Sequence, residues 1–220
     1  MRTHCIQINH IPESVEAAKK CIASGSVFGV DVQPWSAKTP QDDPEAHFIS
    51  RGWRTDKFVN KWSNFEPCLA TFWSHYSLWE ACSKQDDMFL ILEHDSIIHG
   101  PIPDMDQNER IVCNVSKPSF GKFHFPSKGI GKFRSGPQGF FKGLHGYLIS
   151  PSGAKALTLE AHNAEPADVY VNLTRFPWLQ ETYPWSVEAR SDFSTIQKEA
   201  GCVAHHQKVT PLVMADPPGR

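Results

Sequence analysis

At 220 residues, 40% of them hydrophobic and 21% charged, the chain is long enough to bury one sizeable core and has no compositional mark of disorder. Its formal net charge is -2, but residues 117–142 hold six basic residues and no acid, leaving 16 basic against 24 acidic residues elsewhere, a formal -8. No apolar run reaches the roughly 18 to 20 residues of a membrane span, and Met1–Gln7 lacks the apolar segment of a signal peptide, so a cytoplasmic protein is expected.

In chain order, His4–Asn9 alternates as a short strand, and Val15, Ala18 and Ile22 recur at helical spacing over Pro12–Ala23, with Gly25 expected to close the helix. Val27–Val32 reads as a second strand, so the chain opens β-α-β, the start of a nucleotide-binding type of sheet. Between Gln33 and Glu66 the hydrophobic period disappears, and a long irregular loop is expected, anchored by Trp53, Phe58, Trp62 and Phe65. From Cys68 to Cys82 apolar residues cover more than one face, the pattern of a buried helix. Phe89, Leu90, Ile91 and Leu92 form an unbroken apolar run, the pattern of a strand covered on both faces in a parallel sheet. Further strands are expected over Ile111–Val115 and Gly143–Ser150, with Ser150 as N-cap and Pro151 as first residue of the next helix. Asp168–Leu173 suggests another helix, Trp185–Ala189 an extended segment and Ala200–His206 a closing turn. The six cysteines show no CxxC pair and no short spacing to histidine, so reduced, mostly buried thiols are expected.

The chemistry is concentrated where the apolar run ends. Glu93, His94 and Asp95 follow it directly, and ligands in open α/β sheets bind outside the carboxyl ends of strands. Carboxylates there suit a divalent ion that neutralises the charge of a nucleotide's phosphates. The competing reading is a solvated acidic turn. Ser74 and His75 are polar residues within a buried helix, and a hydrogen-bonded core histidine is the plainer account of His75.

Four segments then stand together in order and spacing: Phe72–Glu80, Ile91–Asp95, Gly143–Ser150 and Pro166-Ala167-Asp168. In that register the chain resembles the family-25 glycosyltransferases of lipooligosaccharide biosynthesis, whose relatives include collagen glycosyltransferases. The resemblance covers about Cys68 to Asp168. It implies an α/β fold in one domain: a GT-A-like, Rossmann-type mixed sheet, mostly parallel and flanked by helices, over residues 1–212, with 213–220 a frayed tail. It also implies a nucleotide-sugar donor, a UDP-sugar first, and a divalent metal, Mn²⁺ before Mg²⁺. Where family members read Glu-Asp-Asp, this chain reads Glu93-His94-Asp95, so Asp95 matches a ligand position, while His94 departs from it but can still ligate Mn²⁺ or a softer ion through its imidazole. A histidine late in the chain, His205 or His206, would complete the metal set, against the alternative of an exposed turn. Asp168 would be the general base that takes a proton from an acceptor hydroxyl, against the alternative of a helix cap. His145 would orient donor or acceptor. Asn9, Ser74, His75, Glu93 and Lys142 would lie around the donor, with Ser74-His75 buttressing the metal strand.

The basic segment interleaves Lys117, Lys122, Lys128, Lys132, Arg134 and Lys142 with six phenylalanines. Three readings rank in order: a loop closing on a diphosphate, a hairpin with a buried aromatic side, and a nucleic-acid contact surface. The expected activity is transfer of a sugar from a nucleotide donor to a hydroxyl acceptor on a glycan or lipopolysaccharide-type molecule. Alternatives are transfer to hydroxylated DNA bases and sugar-nucleotide binding without turnover.

Overall fold

The computed structural model describes residues 1–61, 63–190 and the backbone of 210–211. Strands β1 (Arg2–Gln7), β2 (Val32–Ser36), β3 (Phe89–Glu93), β5 (Val112–Asn114), β7 (Gly129–Lys132), β8 (Gly146–Ile149) and β9 (Gln180–Tyr183) form one sheet in the order β2-β1-β3-β8-β5-β9-β7. β1 pairs in parallel with β2 and β3, and β5 with β9, whereas β8 and β7 are antiparallel to their neighbours. Five strands therefore run one way and two the other. Two small ribbons flank the sheet: β4 (Ser96–Ile98) with β10 (Val187–Ala189), and β6 (Lys122–Phe123) with β11 (Thr210–Pro211). The helices are α1 (Pro12–Val27), α2 (Pro44–Ser50), α3 (Phe65–Cys82), α4 (Pro151–Leu159) and the single turn α5 (Ala167–Tyr170).

The strand sequences explain the layering. Successive side chains point to opposite faces, so Phe89, Ile91, Val112, Tyr147 and Ile149 join α3 and α4 in one core. Leu90, Leu92, Cys113 and Leu148 join Cys5, Ala18, Cys21 and Val187 in the other. With both faces covered, β3 is buried from Phe89 to Leu92, as its apolar run predicts. α3 buries Cys68, Leu69, Phe72, His75, Tyr76, Leu78, Trp79 and Cys82, consistent with its lack of a clean polar face. Ser150 accepts from the Gly153 amide as N-cap of α4, with Pro151 next, as expected. Cys5, Cys21, Cys68, Cys82 and Cys113 are free and buried.

Four expectations are corrected. Gly25 does not close the first helix. It lies inside α1 where a Cβ would come within 2.5 Å of Val32 Cγ2 and 2.9 Å of Val30 O, so glycine permits the helix to lie on the next strand. The helix stops at Phe28 and Gly29, the latter at φ +71, and the second strand starts at Val32, displaced from Val27–Val32. The segment 33–66 is not all loop: it holds β2 and α2, whose N-cap Asp43 accepts from the Ala46 amide just before Pro44. The helix expected over Asp168–Leu173 ends at Tyr170, because the Asn172 side-chain amide donates to the carbonyls of Val169 and Tyr170. Trp53, Phe58 and Phe65 do pack into the core beside this region. Trp62, Ala200–His206 and the tail 213–220 lie outside the described residues.

Candidate functional site

The chain leaves β1 through α1 to β2 on one flank and returns to β3 on the other, which makes the β1/β3 boundary the switch point of the sheet. Such a boundary opens a crevice at the carboxyl ends of the strands. The register Ile6↔Glu93 and Gln7↔Ser36 sets the ends of β1, β2 and β3 level. Antiparallel β8 begins at the same edge, because Leu92 pairs with Gly146 and the Glu93 amide donates to His145 O at 3.1 Å. Asn9, Glu93, His94, Asp95 and His145 thus share one edge, though they come from three distant stretches of chain.

Glu93 is held by a buried relay. His75, fully buried on α3, has Nε2 3.2 Å from Glu93 Oε1 and Nδ1 3.0 Å from the Tyr147 hydroxyl, and Trp79 Nε1 donates to that hydroxyl at 2.6 Å. An indole can only donate, so the Tyr147 oxygen accepts from Trp79 and its proton is directed to His75 Nδ1. In that tautomer the imidazole proton sits on Nε2 and is donated to ionised Glu93. Burial lowers the His75 pKa to about 3 in spite of Asp168 nearby, so the ring is neutral and its contact with Glu93 is a hydrogen bond rather than an ion pair.

Asp95 and Asp168 both feel the charge of Glu93 at the end of this relay. Burial raises Glu93 to about 7, and burial together with the charge of Glu93 raises Asp95 to about 7. The two titrate as a pair. Asp95 Oδ1 is buried with no hydrogen-bond partner among the described residues. Burial also raises Asp168 to about 6, opposed by the Val169 amide that donates to its Oδ1 at 2.9 Å and reinforced by Glu93. α5 carries Asp168 and is locked to α3 through Tyr170, which lies against Phe72 at 5.0 Å and stacks on Trp79 at 5.4 Å between ring centroids. Asp168 is therefore not the N-cap of its helix turn, a place taken by Pro166.

The remaining predicted residues occupy varied places. Asn9 bridges strand ends, accepting from Gln7 Nε2 at 2.8 Å and donating to Ser36 Oγ at 3.0 Å. Ser74 accepts from the Lys38 amide at 2.8 Å and donates to Ala70 O, so it fastens the chain after β2 to α3 and stands apart from the Glu93 relay. His145 is buried with both ring nitrogens lacking a partner among the described residues, and burial lowers its pKa to about 4. Its carbonyl accepts from the Glu93 amide and the Ser96 hydroxyl, which ties β8 to the acidic turn. Gly143, at φ +109, permits this arrangement, since a Cβ there would be 2.2 Å from Ser119 Oγ and 2.6 Å from His145 Nδ1. Lys142 is buried and directs its ammonium to Lys122 O at 2.7 Å, and burial lowers its pKa. His94 is half-buried, and burial lowers its pKa too. His205 and His206 lie outside the described residues.

Among the described residues no three metal-ligating side chains converge. Glu93 and Asp95 still suit a hard cation of the Mg²⁺ or Mn²⁺ kind, which takes one or two carboxylates and completes its shell with water and phosphate oxygens. The unsatisfied Asp95 Oδ1 is the observation that favours this fit. The chain matches no family model and no curated relative. In the basic segment Lys117, Lys122, Lys128, Lys132 and Arg134 face solvent while Phe123, Phe133 and Phe141 are buried, and its two short strands pair not with each other but with β11 (β6) and β9 (β7). No described helix is long and apolar enough to cross a membrane.

Tyr147 and Trp79 were not singled out by sequence reasoning. Both lie within motifs that were, but only the cross-strand register Ile91↔Tyr147 and the facing of α3 bring them to His75. Local pattern encodes neither.

Proposed function

We propose that the protein is a metal-dependent glycosyltransferase with a GT-A-type fold, moving a sugar from a nucleotide-sugar, a UDP-sugar first, to a hydroxyl acceptor with inversion. The observation that carries the reading is the pair Glu93 and Asp95, with pKa values raised by burial, at the switch point of a mostly parallel sheet, with Asp168 on α5 also raised by burial and by the charge of Glu93. Structural ion pairs usually depress carboxyl pKa values; raised ones in a cleft mark sites that exchange protons or cations.

In this reading Asp95 and Glu93 hold the cation, which when bound supplies charge to neutralise the leaving diphosphate. His75, fixed by Tyr147 and Trp79, keeps Glu93 in one orientation. Asn9, hydrogen-bonded to Ser36 at the ends of β1 and β2, would meet the donor. Asp168, ionised above about pH 6, accepts the proton of the acceptor hydroxyl as that oxygen attacks the anomeric carbon. The test is a screen of UDP- and GDP-sugars by calorimetry and donor hydrolysis, with and without Mn²⁺. Mn²⁺-dependent binding that is lost in Asp95→Ala is expected. Absence of binding by every sugar nucleotide, with Asp95→Ala behaving like the parent, would sink the proposal.

A further inference from the structure

The strongest imbalance of charge lies at the far side of the sheet from the acidic edge. β7 is the last strand in the order, three strands beyond β3's neighbour β8 being β5, β9 and β7 itself, and all four of its residues are exposed. Lys128 precedes β7, Lys132 ends it and Arg134 follows it. Lys122, on β6, is brought alongside because the His124 amide donates to Ser135 O at 2.9 Å. All four cations are exposed, and no acid occurs between residues 117 and 142. Glu181, across the strand pair from Gly131, is turned inward: it is buried and accepts from the amides of Arg134 at 2.6 Å and Ser135 at 2.9 Å.

An aromatic platform stands among these cations. Phe125 is 46% exposed, and it packs on Phe123, Tyr183 and Trp185 at 5.1, 5.8 and 5.9 Å between ring centroids. Tyr183 pairs with Gly129, which brings Phe125 to the Lys128 end of the edge strand. Gly131 is the second mark of a ligand. A Cβ there would meet nothing within 4 Å, and its φ is not positive, so neither packing nor backbone conformation calls for glycine. Inside a strand such a glycine marks a place where another chain comes close to the backbone.

Charge decides the occupant. Pairing β7 with the β7 of a second copy would set Lys128, Lys132 and Arg134 against their own like charges, which destabilises a strand pair. A polyanion is attracted by the same cations, and an unpaired base supplies the flat face that a ring braced by three others can stack on. A bilayer would need that ring free to insert, and its contacts hold it in place.

We propose that the basic edge formed by β6 and β7 binds single-stranded nucleic acid, with phosphates on Lys122, Lys128, Lys132 and Arg134 and a base stacked on Phe125. Composition supplies six cations and six phenylalanines; the fold selects four of the first and one of the second. The surface is separate from Glu93 and Asp95, and the inference does not rest on the glycosyltransferase reading.

The experiment is fluorescence anisotropy of the intact chain with a labelled oligothymidylate of about 20 nucleotides, the length covering the roughly 4–16 nucleotides of one such site. A duplex of the same length and vesicles of phosphatidylcholine with phosphatidylglycerol are measured in parallel. With four phosphates neutralised, affinity for the oligothymidylate is expected to fall about fiftyfold between about 50 and 200 mM NaCl. Phe125→Ala should weaken it about tenfold and Phe125→Tyr should bind like the parent, a split that charge alone does not produce. Replacing Lys122, Lys128, Lys132 and Arg134 together by Gln should abolish binding, and since all five positions are exposed the variants should unfold like the parent in urea. No binding at about 50 mM NaCl, binding that survives the four Gln substitutions, or equal binding by Phe125→Ala would overturn the proposal. So would tighter binding of the duplex, or binding of the vesicles without the oligothymidylate.

Discussion

At the scale of single residues, the behaviour of the site turns on proton affinity. Asp168 must be ionised to act as base, and burial raises its pKa to about 6. The rate should therefore fall about tenfold per pH unit below 6 and level off above it. Asp168→Asn should lower transfer by about 10²–10⁴ while leaving nucleotide-sugar affinity unchanged, since a lost general base affects the chemical step. Steady-state rates from pH 5 to 8 and calorimetry of the variant check both outcomes. In the relay, Tyr147→Phe removes the acceptor for the Trp79 indole and the proton directed to His75, leaving buried polar groups unmatched. A loss of about 1–3 kcal/mol in urea unfolding is expected. The sequence placed Glu93, Asp95 and Asp168 as candidates through their neighbours in the chain; the direction of their pKa shifts needed the packing of α3 and α5.

At the scale of elements, legibility followed burial and length. β3, α3 and the start of α4 were readable because each imposes a local pattern: an apolar run, a helix apolar nearly all round, and a Ser-Pro start. The stretch from α1 to α2 was misread because its signals depend on contact. Val27 and Phe28 look like strand residues but are exposed at a helix end, and Gly25 looks like a stop but is a contact point. The seven residues of α2 are too few to show a period, although Asp43-Pro44 is a start signal. The close approach at Gly25 is testable. Gly25→Ala would gain helix propensity, but its Cβ meets Val32 and a backbone carbonyl, so net destabilisation of about 1–3 kcal/mol is expected from overpacking. Thermal or urea unfolding settles the sign, because propensity alone would stabilise the variant by about 1 kcal/mol.

At the scale of the whole molecule, the sheet order assembles one edge from residues as far apart in sequence as Asn9, Glu93 and His145, and α3 links that edge to Asp168. The β-α-β opening foretold the first crossover. The sheet is mixed and mostly parallel, as the resemblance implies, but no local pattern marks β7 and β8 as the antiparallel strands, since pairing partners are set by the global arrangement. The site also couples to stability. Glu93, Asp95 and Asp168 have folded-state pKa values above those of an unfolded chain, so the stabilising effect of their protonated forms is complete below about pH 4. It is lost as pH rises through about 6 to 7. A bound cation reverses the trend because it needs the ionised carboxylates. Melting curves should show Mn²⁺ raising the Tm more at pH 8 than at pH 6.

The most direct measurement of the central claim is calorimetry of UDP-glucose and the other UDP- and GDP-sugars with Mn²⁺, at pH 6 and 8, on the parent and on Asp95→Asn. The account predicts binding to the parent that requires Mn²⁺, strengthens from pH 6 to 8 with release of protons, and is lost in Asp95→Asn. Sugar-nucleotide binding that ignores Mn²⁺, pH and Asp95, or no binding at all, would contradict it.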